Sequence, residues 1–405
     1  MLNLTVHRGT HQIGGCVTEL RTSTTRIVID MGSPLPGPEG TAPEATLSLP
    51  GVTAPGEPCD GVFFTHNHGD HMGQISCILP EVPLFLGETA RDVALTLYHS
   101  LARHDATGCT PILAALERAN TFHPGIALTV GDLRITPFLV DHSAFDAYMF
   151  LIEGDGLRIL HTGDFRNHGP RGKALYPVLR RYVGQVDWLI CEGTTLSRSS
   201  QPMMTEWELG RRTQAILQKH QHVFVLCSST NIDRIAVLTH STPRHRPVVC
   251  DGYQKEILNR VELRNGNKSF FYRFDRVIPY SSRNTKLQNW MADQGFLMFV
   301  RANDRFRQLM EPYRNDCVVL YSMWSGYLDG PCANPDLTQF LDGFPVIRLH
   351  TSGHAERETL REVCRILQPR RGIIPIHGEQ PEVFRALAPF CQVTCLKDGE
   401  MLTLS

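Results

Sequence analysis

No stretch of this 405-residue chain approaches the ~18 consecutive apolar residues that a membrane-crossing helix needs. Residues 1–15 have no basic region followed by an apolar run, so no secretory leader is expected. An excess of one charge is missing too. With 40 Lys and Arg against 41 Asp and Glu, the formal net charge is −1, so any nucleic-acid surface must be a local patch. The twelve cysteines form no CxxC pair, which argues against a structural zinc knuckle. In so long a chain they are expected to be reduced, mostly buried side chains of a cytoplasmic protein. Internal repeats are absent, as is low complexity outside one proline-rich stretch. What remains is an ordinary globular composition, 42% apolar and 20% charged, at a length that suits two domains or one domain with a large insertion.

Residues 1–30 read as strands ending in Arg26-Ile27-Val28-Ile29-Asp30. Seven prolines then fall within residues 33–58, a segment expected to be a loop, either a rim beside a site or a solvated surface. Gly61-Val62-Phe63-Phe64 reads as a short buried strand that delivers His66. A helix is expected over 88–104. Strands follow over 133–140, 148–153, 157–160 and 186–191, with Glu153-Gly154-Asp155-Gly156 as a hairpin turn. Between 196 and 345 apolar strands alternate with helical, Arg-rich segments, the signature of a second α/β unit. From 346 the order is strand, helix, strand. That helix carries Leu360, Val363, Cys364 and Leu367 on one stripe, with Thr351 or Ser352 as its expected cap and Pro369 at its end.

The informative abundance is histidine, with 18 in all. His66-Asn67-His68-Gly69-Asp70-His71 puts four ligand-type residues within six positions, directly after a strand. Alternate residues of an extended segment point the same way, so His66 and His68 can share one cation while Asp70 and His71 face a second. Imidazole and carboxylate suit Zn²⁺, and Mn²⁺ fits the same donors. Further ligands must come from other strand ends, and His142, Asp164 and His377 occupy three of them. Taken singly, each of these is more often a core or turn residue than a ligand. Beside the first motif, the balance reverses.

The order Asp30, H-x-H-x-D-H, His142, Asp164, His377 resembles the metallo-β-lactamase fold. By that resemblance His66, His68 and His142 hold one zinc, and Asp70, His71 and His377 hold the other. Asp164 bridges them, and Asp30 supports the site from behind. A hydroxide between the two metals would be the nucleophile, with Asp70 helping to orient it. Three more segments, Glu192-Gly193-Thr194-Thr195, His350-Thr351-Ser352-Gly353-His354 and Ile376-His377-Gly378-Glu379, resemble motifs A, B and C of the β-CASP nucleases. That branch contains ribonuclease J and the mRNA 3′-end-processing endonuclease. Ser229-Thr230-Asn231-Ile232-Asp233-Arg234 is similar to its Ser-Asn-Ile-x-Arg segment, and His11-Gln12-Ile13-Gly14-Gly15-Cys16 to its first hairpin.

The implied fold class is α/β: a metallo-β-lactamase αββα sandwich over 1–195 and 346–405, with an inserted α/β β-CASP domain over 196–345. The implied activity is that of a zinc-dependent phosphodiesterase acting on RNA, most simply a single strand. Motif C carries His377, where DNA-repair members commonly have valine. His354 is then the general acid and Glu192 its orienting partner. Ser352, Gly353 and the backbone amides of the following helix are expected to hold one phosphate, and Ser229, Asn231 and Arg234 another. Arg211, Arg212, Arg301, Arg305 and Arg307 are expected to add positive charge. Motif A has Glu192, the acid of the 3′-end-processing branch, where ribonuclease J has Asp. A homodimer is compatible with the resemblance, although the further C-terminal domain that supports it in ribonuclease J has no counterpart before Ser405. Exonuclease and endonuclease action both stay open. The competing readings are a DNA nuclease of the same fold and a catalytically inactive RNA-processing scaffold; the full ligand set speaks against the scaffold.

Overall fold

The strand Leu2–Arg8 alternates buried and half-buried residues, so Leu2, Leu4 and Val6 share one face. It lies within a seven-stranded sheet, between Met401–Leu404 and Val17–Arg21. The computed structural model to which it belongs describes residues 1–35, 46–198, 203–265, 267–330 and 332–404. These fall into two units. One is drawn from 1–35, 46–198 and 353–404, and the other is Met203–Ser352.

The first unit holds two sheets. In the first, Arg26–Ile29, Gly61–Phe63, Leu84–Gly87 and Asn120–Phe122 run parallel. In the second, six-stranded sheet, Gly372–Ile376, Trp188–Glu192 and Leu157–His161 run parallel. Ala147–Gly154, Leu133–Val140 and Leu128–Val130 complete it with antiparallel pairing. Both faces of the central strands are covered, which is why they read as continuous apolar runs. Ile27, Ile29 and Phe63 pack with Phe150, Ile190 and Ile374 between the sheets. Val28, Val62 and Phe64 point the other way, toward Ala90 and Ala94 of helix Glu88–Leu101 and Leu116 of helix Ala106–Arg118. On the far side, Leu360, Val363, Cys364 and Leu367 of helix Arg357–Leu367 pack on Leu160, Leu189 and Cys191. The layers are therefore αββα.

The second unit is a six-stranded, wholly parallel sheet with helices between its strands. The strand Val346–Arg348 pairs with Cys317–Tyr321 here, so the chain returns to the first unit at Gly353, seven residues later than the 346 read from sequence. An apolar run of strand length says nothing about which sheet it will join.

Two further expectations need correction. Helix Arg357–Leu367 has Glu356 as its N-cap residue, not Thr351 or Ser352, and it ends on Gln368 in left-handed conformation just before Pro369. In the proline-rich segment, residues 36–45 lie outside the described residues. Of the rest, Leu49 and Val52 are core residues, not solvated loop. The hairpin turn stands as read, with Asp155 and Gly156 both at positive φ. Among the described residues, no helix is long and apolar enough to cross a membrane.

Candidate metal centre

The strand Gly61–Phe63 ends three residues before His66. The chain then stays extended to His68 and enters the short turn Gly69–Met72, which carries Asp70 and His71. The backbone of that turn lies against Gly32: a Cβ there would sit 1.8 Å from the Asp70 carbonyl oxygen, so only glycine fits. Met31 and Ser33 donate backbone hydrogen bonds to the carbonyls of His71 and Gly69, tying the turn to the sheet.

Two groups of donor atoms converge. His66 Nε2 and His142 Nε2 lie 3.1 and 3.2 Å from His68 Nδ1. Beside them, His377 Nε2 is 3.3 Å from Asp70 Oδ2, and His71 Nε2 is 3.1 Å from Asp164 Oδ2. Asp164 lies among both groups. Ring nitrogens of His66, His71, His142, His354 and His377 all lie between 3.1 and 4.0 Å from its carboxylate.

Four of the imidazoles, those of His66, His71, His142 and His377, have a partner on one ring nitrogen that fixes the ring's orientation. Asp30, fully buried and at φ 62°, accepts from Thr65 N and Oγ1 and lies 2.7 Å from His71 Nδ1. Thr65 Oγ1 is also 3.0 Å from His66 Nδ1. His142 Nδ1 donates to the Gly353 carbonyl at 2.6 Å, and Thr194 Oγ1 sits 2.7 Å from His377 Nδ1. A Cβ on Gly353 would stand 2.4 Å from Ser143 Oγ, so that approach also requires glycine.

The electrostatics favour a cation. Burial holds His66, His68 and His142 below the usual imidazole pKa, in the neutral form that offers a lone pair. Burial would raise the Asp164 carboxyl, but His377, His71 and His354 hold it well below its ordinary range. Asp70 is lowered against the same burial by His71 and His377. Burial opposes charge on His71, yet Asp164, Asp30 and Asp70 pull it well upward, so these carboxylates demand positive charge between them. Among the described residues neither Asp164 oxygen has a hydrogen bond of acceptable geometry, and His71 Nε2 has none either, although all three atoms are buried. Orphaned polar atoms of this kind are costly unless an ion sits among them. Neutral imidazoles with two carboxylates fit divalent zinc or manganese.

His354 Nδ1 is 3.3 Å from Glu192 Oε2 and 3.6 Å from Asp164 Oδ2. Glu192 is wholly buried and accepts backbone N–H groups from Phe165, Thr194 and Ala355. Burial alone would lower the His354 pKa; Glu192 and then Asp164 outweigh it and hold it above the ordinary value.

The expected phosphate grips fare differently. Ser352 and Gly353 precede Arg357–Leu367 by several residues, so the helix N-terminus is not beside them. Gly353 instead turns its carbonyl to His142. Asn231 caps helix Ile232–Ser241 by accepting from Arg234 N. Arg234 is fully buried, paired twice with Glu206, and bonded to Ser322 and the Thr351 carbonyl, which leaves it no face for a phosphate. Ser229 is half-buried, and its carbonyl accepts from Gln254. Arg301 is paired with Asp251 and Arg307 with the carbonyls of Gln339, Phe340 and Asp342. Arg211, Arg212 and Arg305 are exposed.

Residues 25–256 match the family described as the beta-lactamase superfamily domain. The chain belongs to that superfamily. Residues 345–388 of this superfamily member match a second family, the Zn-dependent metallo-hydrolase RNA specificity domain. A ribonuclease J of Helicobacter pylori strain J99 is 23% identical over 97% of the chain and 59% of its own length. One from Mycoplasma genitalium is 21% identical over 85% of the chain and 63% of its own length. The endoribonuclease YSH1 of Mycosarcoma maydis is 28% identical over 36% of the chain and 18% of its own length. The chain thus spans little more than half the length of the ribonuclease J proteins it matches, and over that span it is similar to them. A solved structure of a protein of unknown function from Enterococcus faecalis V583 superposes over the whole of both chains, with a TM-score of 0.78 and 21% identity, and so shares the fold.

Sequence reading missed Thr65 and the backbone carbonyl of Gly353, and it gave Thr194 no role within motif A. It also missed Cys16, whose buried sulfur lies within 4.8 Å of ligand atoms of His71 and His377. Nothing marks a single threonine or a carbonyl in a sequence; Cys16 could have been found from its place in the His11–Cys16 hairpin segment.

Proposed function

We propose that this chain is a metal-dependent ribonuclease that hydrolyses RNA phosphodiester bonds. The observation that carries the reading is the gathering of six ligand-type side chains around buried Asp164, with the Glu192–His354 pair beside them. His66, His68 and His142 would hold one divalent cation; Asp70, His71 and His377 would hold the other; and Asp164 would serve both. Zn²⁺ is the proposed ion at each position, and Mn²⁺ suits the same donors. Such a pair supplies a nucleophile from water near neutral pH and positive charge for the phosphoryl oxygens.

The chain's own residues do the rest. Asp30, Thr65, Thr194 and the Gly353 carbonyl keep the imidazoles turned inward. His354 faces the carboxylate centre and is the proposed proton donor to the leaving oxygen, and Glu192 fixes its ring and favours imidazolium. RNA as substrate is supported by the RNA specificity domain at 345–388 and by the names of the relatives. Twelve free cysteines support a reducing, cytoplasmic setting.

The test offers matched single-stranded RNA and DNA, labelled at either end and bearing a 5′-monophosphate, triphosphate or hydroxyl, with Zn²⁺ or Mn²⁺ and with chelator. RNA should be cut and chelator should stop it; the product ladder gives polarity and end preference. Cleavage of DNA alone would overturn the substrate. Within the same assay, His354→Ala should slow single-turnover cleavage by about 10²–10⁴-fold while both metals stay bound. A wild-type rate would remove His354 as proton donor.

A further inference from the structure

A groove of about 840 Å³ lies wholly within the first unit, away from the donor cluster. Its floor follows from strand periodicity. Arg134, Thr136, Phe138 and Val140 are alternate residues of Leu133–Val140, so all four face outward from the second sheet. Val140 belongs to the core cluster that the outer helices cover, whereas Phe138 is only half-buried and Arg134 is exposed, so the groove opens where that cover ends. The strand runs straight into Asp141, which lines the groove, and His142, which belongs to the metal centre.

Three properties define what would fit. One is a flat apolar surface: the Tyr182 ring stacks near Phe138 at 6.4 Å and 29°, and Tyr182 is 57% exposed. Another is charge. Four cationic side chains line the groove against two carboxylates, and both carboxylates are already engaged, Glu153 by Arg134 and Asp141 by Arg166. Lys173 is exposed and has no carboxylate partner among the described residues. The last is unmet donors. Thr136 is 6% exposed, and among the described residues its hydroxyl has no hydrogen-bond partner; the buried Nε of Arg158 has none either. A buried hydroxyl in that state is unusual and points to a missing acceptor.

We infer that this groove is a nucleotide-binding site, with a base on the Phe138–Tyr182 surface and a phosphate drawn by Lys173 and the unmet donors of Thr136 and Arg158. A planar ring joined to an anion with several acceptor oxygens meets all three properties, and a groove of this volume suits a small ligand. The chemistry is the same for a free nucleoside monophosphate and for one nucleotide of a longer strand. That the strand is RNA on its way to or from the metal centre rests on the ribonuclease reading.

The test uses the intact, metal-loaded chain. Its ligands are AMP, adenosine, inorganic phosphate and a phosphorothioate oligoribonucleotide that resists cleavage, read by calorimetry and fluorescence anisotropy. AMP should bind more tightly than adenosine or phosphate. Tyr182→Ala and Lys173→Glu should each weaken AMP or oligonucleotide binding by about 10-fold, and Tyr182→Phe should restore it. Thr136→Val, which keeps the volume and removes the hydroxyl, should weaken phosphate-bearing ligands and leave adenosine unchanged. A response to free AMP identifies the mononucleotide as ligand; a response to the oligonucleotide alone identifies a strand. Wild-type affinities for both in Tyr182→Ala and Lys173→Glu would overturn the proposal. Because binding is read without turnover, a chain that fails to cleave RNA would remove the ribonuclease reading while leaving the groove to be judged on these affinities.

Discussion

Each unit buries a charged group almost completely, Asp164 in the first and Arg234 in the second, and the two are treated in opposite ways. Arg234 has every direction of its guanidinium filled: Glu206 takes one edge in two bonds, Ser322 and the Thr351 carbonyl take the rest. Asp164 is surrounded by imidazoles at ion-pair distance, yet neither of its oxygens has a sound hydrogen bond. The lesson is one of completeness. A buried charge with all its valences met is fastening, and one with unmet valences is waiting for a ligand.

Substitution can break that contrast. Asp164→Asn should reduce cleavage by about 10³-fold or more and lower the bound metal seen by elemental analysis, with melting of the metal-free protein little changed. Full activity with both metals retained would end the view of Asp164 as shared ligand. Arg234→Ala should do the reverse. It strands Glu206 and should cost about 3–5 kcal/mol in denaturant unfolding, with metal content at wild-type stoichiometry. The double change Arg234→Met with Glu206→Leu should recover much of that loss, because neither charge is then left unpaired.

A smaller effect sharpens the picture. Thr194→Val removes the hydroxyl beside His377 Nδ1 without touching a ligand atom, so metal affinity should fall by about 10–100-fold. Competition with a chromophoric chelator measures this, and an unchanged affinity would mean that packing alone holds the ring.

The smallest effect comes from a third buried pair of intermediate character. Burial would raise the Glu19 carboxyl, but hydrogen bonds with His7 and Arg26 overcome it and lower the pKa to about 2. The depressed folded value contributes stability that is complete above the ordinary carboxylate range and lost as pH falls toward 2. After allowance for screening this is about 2 kcal/mol. Urea unfolding of Glu19→Gln between pH 6 and pH 3 should show a shallower loss than wild type; equal slopes would show that Glu19 is not the group responsible.

What could be read in advance follows the same division. His66 through His71 were legible because covalent proximity imposes their nearness. His142, Asp164 and His377 were legible because each follows a strand in a layered sheet fold, and such folds bring strand ends to one edge. Arg234 was not, since a sequence shows a charge but not whether Glu206, 28 residues earlier, will enclose it. The start of the helix at Arg357 was hidden for a similar reason: Thr351 and Ser352 look like caps, but Glu356 takes that place without a side-chain bond. The strand Val346–Arg348 could have joined either sheet.

The return of the chain at Gly353 has a consequence in time. Leu2–Arg8 lacks one of its two neighbours until Met401–Leu404 exists, and Trp188–Glu192 lacks one until Gly372–Ile376 exists. When a ribosome has released only the residues up to 352, the first unit has two bare sheet edges and neither His354 nor His377. The donor cluster therefore cannot be completed until residues 353–404 have folded back onto the sheets of the first unit.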